Sequence, residues 1–205
     1  MSQTNTAVIT PSARRQRWNA TDLGLIAVFA AIVAGAALVP GIPLAVGVPI
    51  TLQTLAVMLT GMVLGPARAF AAVGLYTLLG LAGLPIFSGG RSGLGILAGP
   101  SAGYILGFTL AATVVGFLSV QVLRRTRKLR ALWFFAAAMA TSIVCIHSLG
   151  VAGIVLNTGA TFQQAFLADL AFYPGDILKN ILAALIAVSL HRAFPDILVR
   201  RAVRS

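Results

Sequence analysis

The chain is 205 residues long, 59% hydrophobic and only 9% charged, with a mean hydropathy of +0.96. A water-soluble domain carries roughly a quarter charged residues, so these figures exclude an ordinary soluble globule and make lipid the solvent for most of the surface. A net charge of +11 and a pI of 11.7 taken alone would fit nucleic-acid binding, but the charges gather at the ends of apolar runs, which excludes it.

Residues 1–21 are polar and basic and lack the apolar stretch and small-residue cleavage site of a signal peptide. They are expected to be a cytoplasmic lead-in. Residues 22–192 hold six apolar runs, several with lengths near the roughly 20 residues that cross a ~30 Å hydrocarbon core. The expected fold class is all-α, a polytopic membrane protein with six transmembrane helices in one bundle. Helix 1 is predicted over 22–39 and stops at Pro40-Gly41-Ile42-Pro43, where two prolines disrupt helical pairing. Helix 2 is predicted over 50–64, and Gly65-Pro66-Ala67-Arg68 turns the chain into helix 3 over 69–82. A Gly/Pro-rich segment, 83–100, precedes helix 4 over 101–123. The basic run Arg124 to Arg130 separates it from helix 5, 131–156, and helix 6 covers 162–190 with Pro174-Gly175 near its middle. Residues 193–205 form a basic tail, expected to be cytoplasmic. Cys145, the single cysteine, lies inside an apolar run and reads as a small buried hydrophobe.

Short cytoplasmic loops of membrane proteins carry the excess of Lys and Arg. With the N-terminus inside, 13 of the 15 basic residues fall on the cytoplasmic side. They are Arg14, Arg15 and Arg17, then Arg68, then the five basic residues of 124–130, then Arg192, Arg200, Arg201 and Arg204. Arg91 alone is outside, and Lys179 lies within a helix. Both termini are thus expected in the cytoplasm.

The polar residues that topology does not explain are the candidate site. Asp176 and Lys179 are three apart, so on a helix they share a face. A charge at membrane depth costs a few kcal/mol on insertion scales, roughly 2.5–3.5, so such residues mark a ligand or ion path. Pro174 removes a backbone donor and Gly175 loosens the helix beside them. An internal ion pair that only fixes packing, or a place near the interface, would read the same. The segment 84–100 is too apolar and too rich in glycine for a solvated loop. It is either a lid with Arg91 available to a carboxylate, or an interfacial loop with Arg91 on lipid headgroups. Gly93, Gly95 and Ala98 match a dinucleotide fingerprint only by chance, since no strand precedes them. Gln53 and Thr54 either line the same cavity or cap helix 2. His147 and Ser148 fit helix packing or interhelical hydrogen bonds better than catalysis. On helix 1, Ala27, Ala31 and Gly35 recur every four residues with Ala30 and Ala34 alongside, a pattern that lets another helix approach closely, whether a partner's or one of its own.

Several segments together resemble the BioY family, the biotin-specific substrate-capture components of energy-coupling-factor (ECF) vitamin transporters. They are 48–55 (Val-Pro-Ile-Thr-Leu-Gln-Thr-Leu), 83–90 (Gly-Leu-Pro-Ile-Phe-Ser-Gly-Gly), 99–104 with Gly107-Phe108, and 173–179 (Tyr-Pro-Gly-Asp-Ile-Leu-Lys). The resemblance implies a six-helix fold with the vitamin near the outer face, under the loops between helices 1 and 2 and helices 3 and 4. It implies direct biotin contact by Asp176 and Lys179. It also implies a transmembrane coupling subunit and two cytoplasmic ATPase subunits as partners, met through small residues of helix 1 such as Ala27, Ala30, Ala31 and Ala34, with some members acting without that module. Ser101 stands where the family more often has threonine. Biotin's ureido group, apolar bicycle and carboxylate suit a cavity with one carboxylate, one or two cations and aromatic walls such as Tyr104, Phe87 and Tyr173.

No P-loop is present, so ATP is not expected to be bound by this chain, and no nucleophile, base and oxyanion hole come together as an enzyme needs. No metal site and no cofactor are expected; biotin is the expected substrate ligand and the bilayer the medium. The expected location is the cytoplasmic (inner) membrane of a prokaryote. The competing function is secondary transport of another small vitamin or carboxylate.

Overall fold

Asn19 starts the first helix. Its Oδ1 accepts from the Asp22 backbone N–H at 2.9 Å, and Asp22 Oδ2 accepts from the Asn19 N–H at 3.0 Å. This reciprocal cap satisfies two donors that a helix start otherwise leaves open. Helix α1 spans Ala20–Leu38 in the computed structural model, which describes residues 18–44, 47–126 and 128–195. Arg14, Arg15, Arg17, Arg127, Arg200, Arg201 and Arg204 lie outside the described residues, with most of the expected lead-in and tail.

Five further helices follow: α2 (Gln53–Leu64), α3 (Pro66–Leu81), α4 (Ala102–Arg125), α5 (Arg130–Thr158) and α6 (Phe162–Ala193). The protein is an all-α, six-helix membrane bundle, as its sequence predicts. By length and apolarity α1, α4, α5 and α6 can each cross a membrane, whereas α2 and α3 have only 12 and 16 residues. Shielded from lipid, α2 has no need to span the bilayer. Ten of its twelve residues are buried, because α1, α3, α4 and α6 all pack around it.

Two helix starts differ from the expectation by three residues, the others by two at most. α2 begins three residues late, because Ile42 and Ile50 exchange both backbone hydrogen bonds, at 3.0 and 2.8 Å, and hold the chain extended there. α3 begins three residues early, at Pro66, since a proline in the first turn gives up a donor that no carbonyl would have met.

Glycines set the closest helix contacts. A Cβ on Gly103 or Gly153 would run into the facing backbone across the α4–α5 seam, and one on Gly150 would overlap the Tyr104 ring. At the opposite end of α4, a Cβ on Gly116 would lie 2.8 Å from both Gly65 C and Pro66 N. Close backbone approach through small residues is how membrane helices gain packing without a hydrophobic drive between them.

Two long helices depart from α geometry. In α5 the segment Ser142–His147 is π-helical, and in α6 a 3₁₀ step at Leu170–Phe172 precedes Tyr173. The second follows from Pro174, which has no N–H for the carbonyl four residues back. The first was not predicted. A π-turn inserts an extra residue, rotating the side chains that follow it, and such turns gather at functional sites.

The helices alternate in direction, so the loops at 39–52 and 82–101 and the turn at 159–161 share one end of the bundle. The start of α1, the turn at Gly65 and the turn after Arg125 share the other.

Candidate functional site

A cavity lies at the first of these ends. The loop at 39–52 supplies Val48, Pro49 and Thr51, and α2 supplies Gln53 and Thr54. Tyr76 comes from α3, and Phe87, Ser88 and Arg91 come from the segment after it. Ser101, Tyr104, Ile105 and Phe108 come from the start of α4, Ile146 and His147 from the π-turn of α5, and Phe172, Asp176 and Lys179 from α6.

Asp176 and Lys179 meet as expected. Lys179 Nζ donates to Asp176 Oδ1 at 2.6 Å, and both residues are buried. They face the cavity and belong to a larger array. His147 Nε2 lies 3.2 Å from Asp176 Oδ2, and His147 Nδ1 lies 2.9 Å from Asp169 Oδ1. Tyr104 completes it by donating its hydroxyl proton to Asp169 Oδ1 at 2.7 Å. A continuous chain of hydrogen bonds thus runs from α4 through α6 and α5 and back to α6.

Gln53 lines the cavity and does not cap α2. Its Nε2 donates to the Tyr76 hydroxyl at 2.7 Å, and α2 has no side-chain cap. Thr54 is buried at the same wall. Phe87 is the lid's anchor. Its ring meets Tyr76 edge-on, with centroids 5.5 Å apart, and rests against Gly80, where any side chain would overlap it. The loop is also tied down elsewhere, as Gly93 N–H donates to Gly80 O at 2.8 Å and Asn157 Nδ2 donates to Leu97 O and Gly99 O, each at 2.9 Å. Arg91 borders the cavity, half-buried, with its Nε donating to Ser88 O at 3.0 Å. It makes no ion pair among the described residues, so its outer nitrogens are available to a ligand. Ser101 Oγ is buried with no hydrogen-bond partner, and in this wall a ligand can supply one.

One expected wall residue is elsewhere. Tyr173 does not line the cavity; it stacks on the outer face of His147, with ring centroids 4.5 Å apart, and lines a second cleft with Phe162, Phe166 and Asp169. Phe172, its neighbour, takes the place on the cavity side, since one residue along the 3₁₀ step turns the side chain about a third of the way round the axis. On α1, Ala27 and Ala31 are exposed and Gly24 and Gly35 have no neighbour over them. Ala30 instead turns into the core and Ala34 is half-buried, so the open small-residue face is narrower than the sequence pattern.

Sequence reasoning missed Asp169 and Tyr76; it read His147 as a packing or interhelical hydrogen-bonding residue, which it is, without joining it to Asp176. Asp169 had left a signal. It is one of only four acidic residues, seven before Asp176, which puts both on one face of a helix two turns apart. His147 left none that spacing could read, because the π-turn that aims it is not visible in an apolar run.

A lid-covered polar cavity at one end of a six-helix membrane bundle defines a membrane protein that captures a small polar molecule. Among solved structures, the bundle is similar to the S-component for biotin from an ECF-type ABC transporter, with a TM-score of 0.79 and 26% identity, covering 84% of this chain and 91% of that one. The chain belongs to the BioY family, which it matches over residues 10–196. Its relatives include the biotin transporter BioY of Rhizobium etli, 40% identical over 177 residues that cover 85% of this chain and 95% of that protein. The biotin transporter BioY of Rhodobacter capsulatus is 40% identical over 186 residues, covering 86% and 96%.

Proposed function

We propose that this protein captures biotin in the cavity beneath the 82–101 loop and delivers it across the membrane as the substrate-specific component of an ECF-type transporter. The observation that carries this reading is the cavity itself, formed in a BioY-family chain from polar groups that suit each part of biotin. The neutral ureido group both donates and accepts, and Asp176 is the acceptor for one of its N–H groups. Lys179 or Arg91 meets a ligand oxygen, and Gln53, Thr54 and Ser101 supply further hydrogen-bonding groups. Phe87, Tyr104, Tyr76 and Phe172 enclose the apolar bicycle. Only a minority of these groups carry charge, so the fit is selective without burying an unpaired ion.

Sidedness follows from the basic residues. Among the described residues, Arg68, Arg124, Arg125, Lys128, Arg130 and Arg192 lie at the end opposite the cavity, and Arg91 lies at the cavity end. This distribution supports a cytoplasmic far end, with both termini inside, and a site open to the outside of a prokaryotic inner membrane. The exposed face of Gly24, Ala27, Ala31 and Gly35 suits close contact with a transmembrane coupling subunit, which would join this chain to two ATPase subunits.

Calorimetric titration of the purified protein with biotin tests the reading, with Asp176→Asn and Lys179→Ala in parallel. The expected result is tight binding by the wild type and at least tenfold weaker binding in each variant, about 1.4 kcal/mol or more. Folded wild-type protein that ignores biotin but binds another small carboxylate would replace the reading with transport of that ligand.

A further inference from the structure

His147 stands between two carboxylates, with a hydrogen-bond gap on each side. Each gap needs one proton, because neither a bare ring nitrogen nor a carboxylate oxygen can donate. The imidazole and the two carboxylates of Asp169 and Asp176 therefore share two protons when both bonds are made. Counted with the Lys179 ammonium, that state is neutral; removing one proton leaves a net negative charge in a buried cluster. Burying uncompensated charge is costly at membrane depth, so the neutral state is also the one in which both bonds hold.

The geometry also gives the second proton a route. Asp169 and His147 line the second cleft, which lies on the other side of His147 from the ligand cavity. Asp169 is 1% exposed, and its Oδ2 has no hydrogen-bond partner. His147 is the one residue on α5 that borders both spaces and touches Asp176. The charged and titratable groups around it are Tyr104 on α4, Asp169, Tyr173, Asp176 and Lys179 on α6, Tyr76 on α3 and Arg91 in the lid; the cavity-lining residues of α2, Gln53 and Thr54, are uncharged.

We propose that His147 and Asp169 are positioning residues for the ligand-binding carboxylate of Asp176, and that they hold it through an exchangeable proton, so that biotin affinity is linked to pH. In the two-proton state Nε2 donates to Asp176 Oδ2 and Nδ1 donates to Asp169 Oδ1. Together with Lys179 on Oδ1, this fixes the Asp176 carboxylate plane against the cavity. When the second proton leaves, passing from His147 Nδ1 to Asp169 Oδ1 and out as the carboxyl group turns toward the second cleft, the Nδ1–Asp169 bond is lost. Nε2 still donates to Asp176, but the ring has lost its second anchor and the cluster carries a net negative charge, so Asp176 is held less firmly. Biotin favours the protonated site, so its affinity falls as the pH rises through the range where the proton is lost. The limiting slope for one linked proton is about tenfold in Kd per pH unit.

This inference rests on the biotin reading above, and its test separates the two. Biotin would be titrated calorimetrically into detergent-purified wild type, His147→Gln and Asp169→Asn from pH 5.5 to 9, in paired buffers of different ionisation enthalpy that count the protons exchanged. The ligand's own carboxyl group titrates below this range. The expected wild-type result is weaker binding with rising pH and uptake of up to one proton per biotin on the falling limb. His147→Gln keeps a side-chain amide in place of the ring but does not titrate in this range; it should bind at least threefold more weakly at pH 6 and show a flat profile. Asp169→Asn should flatten the profile as well. A wild type that binds biotin with the same Kd across the range overturns the proposal and leaves the biotin reading intact, as does a His147→Gln protein that retains the wild-type slope. The wild-type proton count does not depend on either variant folding.

Discussion

The two ends of the bundle bury polar side chains in different ways. At the far end each named group is answered from within the protein. His191 Nε2 lies 2.9 Å from the Met62 carbonyl, Thr60 donates to the Ala56 carbonyl at 2.7 Å, and Arg68 donates to the Leu64 carbonyl at 3.0 Å and pairs with Asp22. At the cavity end Ser101 Oγ and Asp169 Oδ2 are buried with no partner, and Arg91 has no ion pair among the described residues. Buried polar atoms are nearly always satisfied in a finished structure. Ser119 Oγ, buried on α4 toward the far end, lacks a partner too, so the difference is one of setting. The unpartnered atoms of the cavity end, Ser101 Oγ and Asp169 Oδ2, belong to residues that line spaces a ligand or water can enter, whereas Ser119 lines neither.

The sharpest way to break this comparison is to overfill the far end. Gly116→Val would push a side chain onto the Gly65–Pro66 backbone, which cannot move aside. It is expected to cost about 3 kcal/mol or more of stability, seen as a large drop in thermal unfolding temperature, while the folded fraction binds biotin within twofold of wild type. Weakened affinity in that fraction would show that the two ends are not independent.

A smaller effect is expected from Ser101→Ala, which removes the unpartnered hydroxyl. If the ligand uses it, affinity falls about three- to tenfold, in line with roughly 0.5–1.5 kcal/mol for one hydrogen bond, with unfolding temperature unchanged. Thr60→Ala, at the far end, is the matched control and should leave affinity untouched. Gly80→Ala tests the lid through packing alone. Displacing Phe87 from its seat should raise the biotin off-rate severalfold in stopped-flow release, without altering the polar array. The smallest change is expected for Arg91→Ala, about threefold in Kd or less, because the residue is only half-buried and partly screened, as for exposed ion pairs worth about 0–1 kcal/mol. A loss as large as that of Lys179→Ala would instead make Arg91 the main cation for the ligand.

Much of this was legible in the chain. Long apolar runs and the proline and glycine breaks between them placed all six helices, with boundaries mostly within three residues. Hydrophobic length and turn chemistry act locally, and a local signal survives without tertiary contacts. Asp176 and Lys179 could be named because two charges one turn apart in an apolar helix are costly to bury and stand out against their neighbours. Tyr173 was misplaced because its direction depends on a 3₁₀ step of three residues, and Ala30 because periodicity alone does not tell which side of a small-residue stripe the bundle covers.

Sequence alone determined the class of protein, the six helices, the asymmetry of basic charge and the buried Asp176–Lys179 pair. Only the tertiary structure decided that His147 and Asp169 join that pair, that Gln53 reaches Tyr76 on another helix, and that α2 is enclosed by its neighbours. The physical reason is that these features depend on distances between helices. Such distances are set by glycine contacts such as Gly103 against Leu149 and by the π-turn at Ser142–His147, where a rotation of one residue decides which side chain enters the cavity.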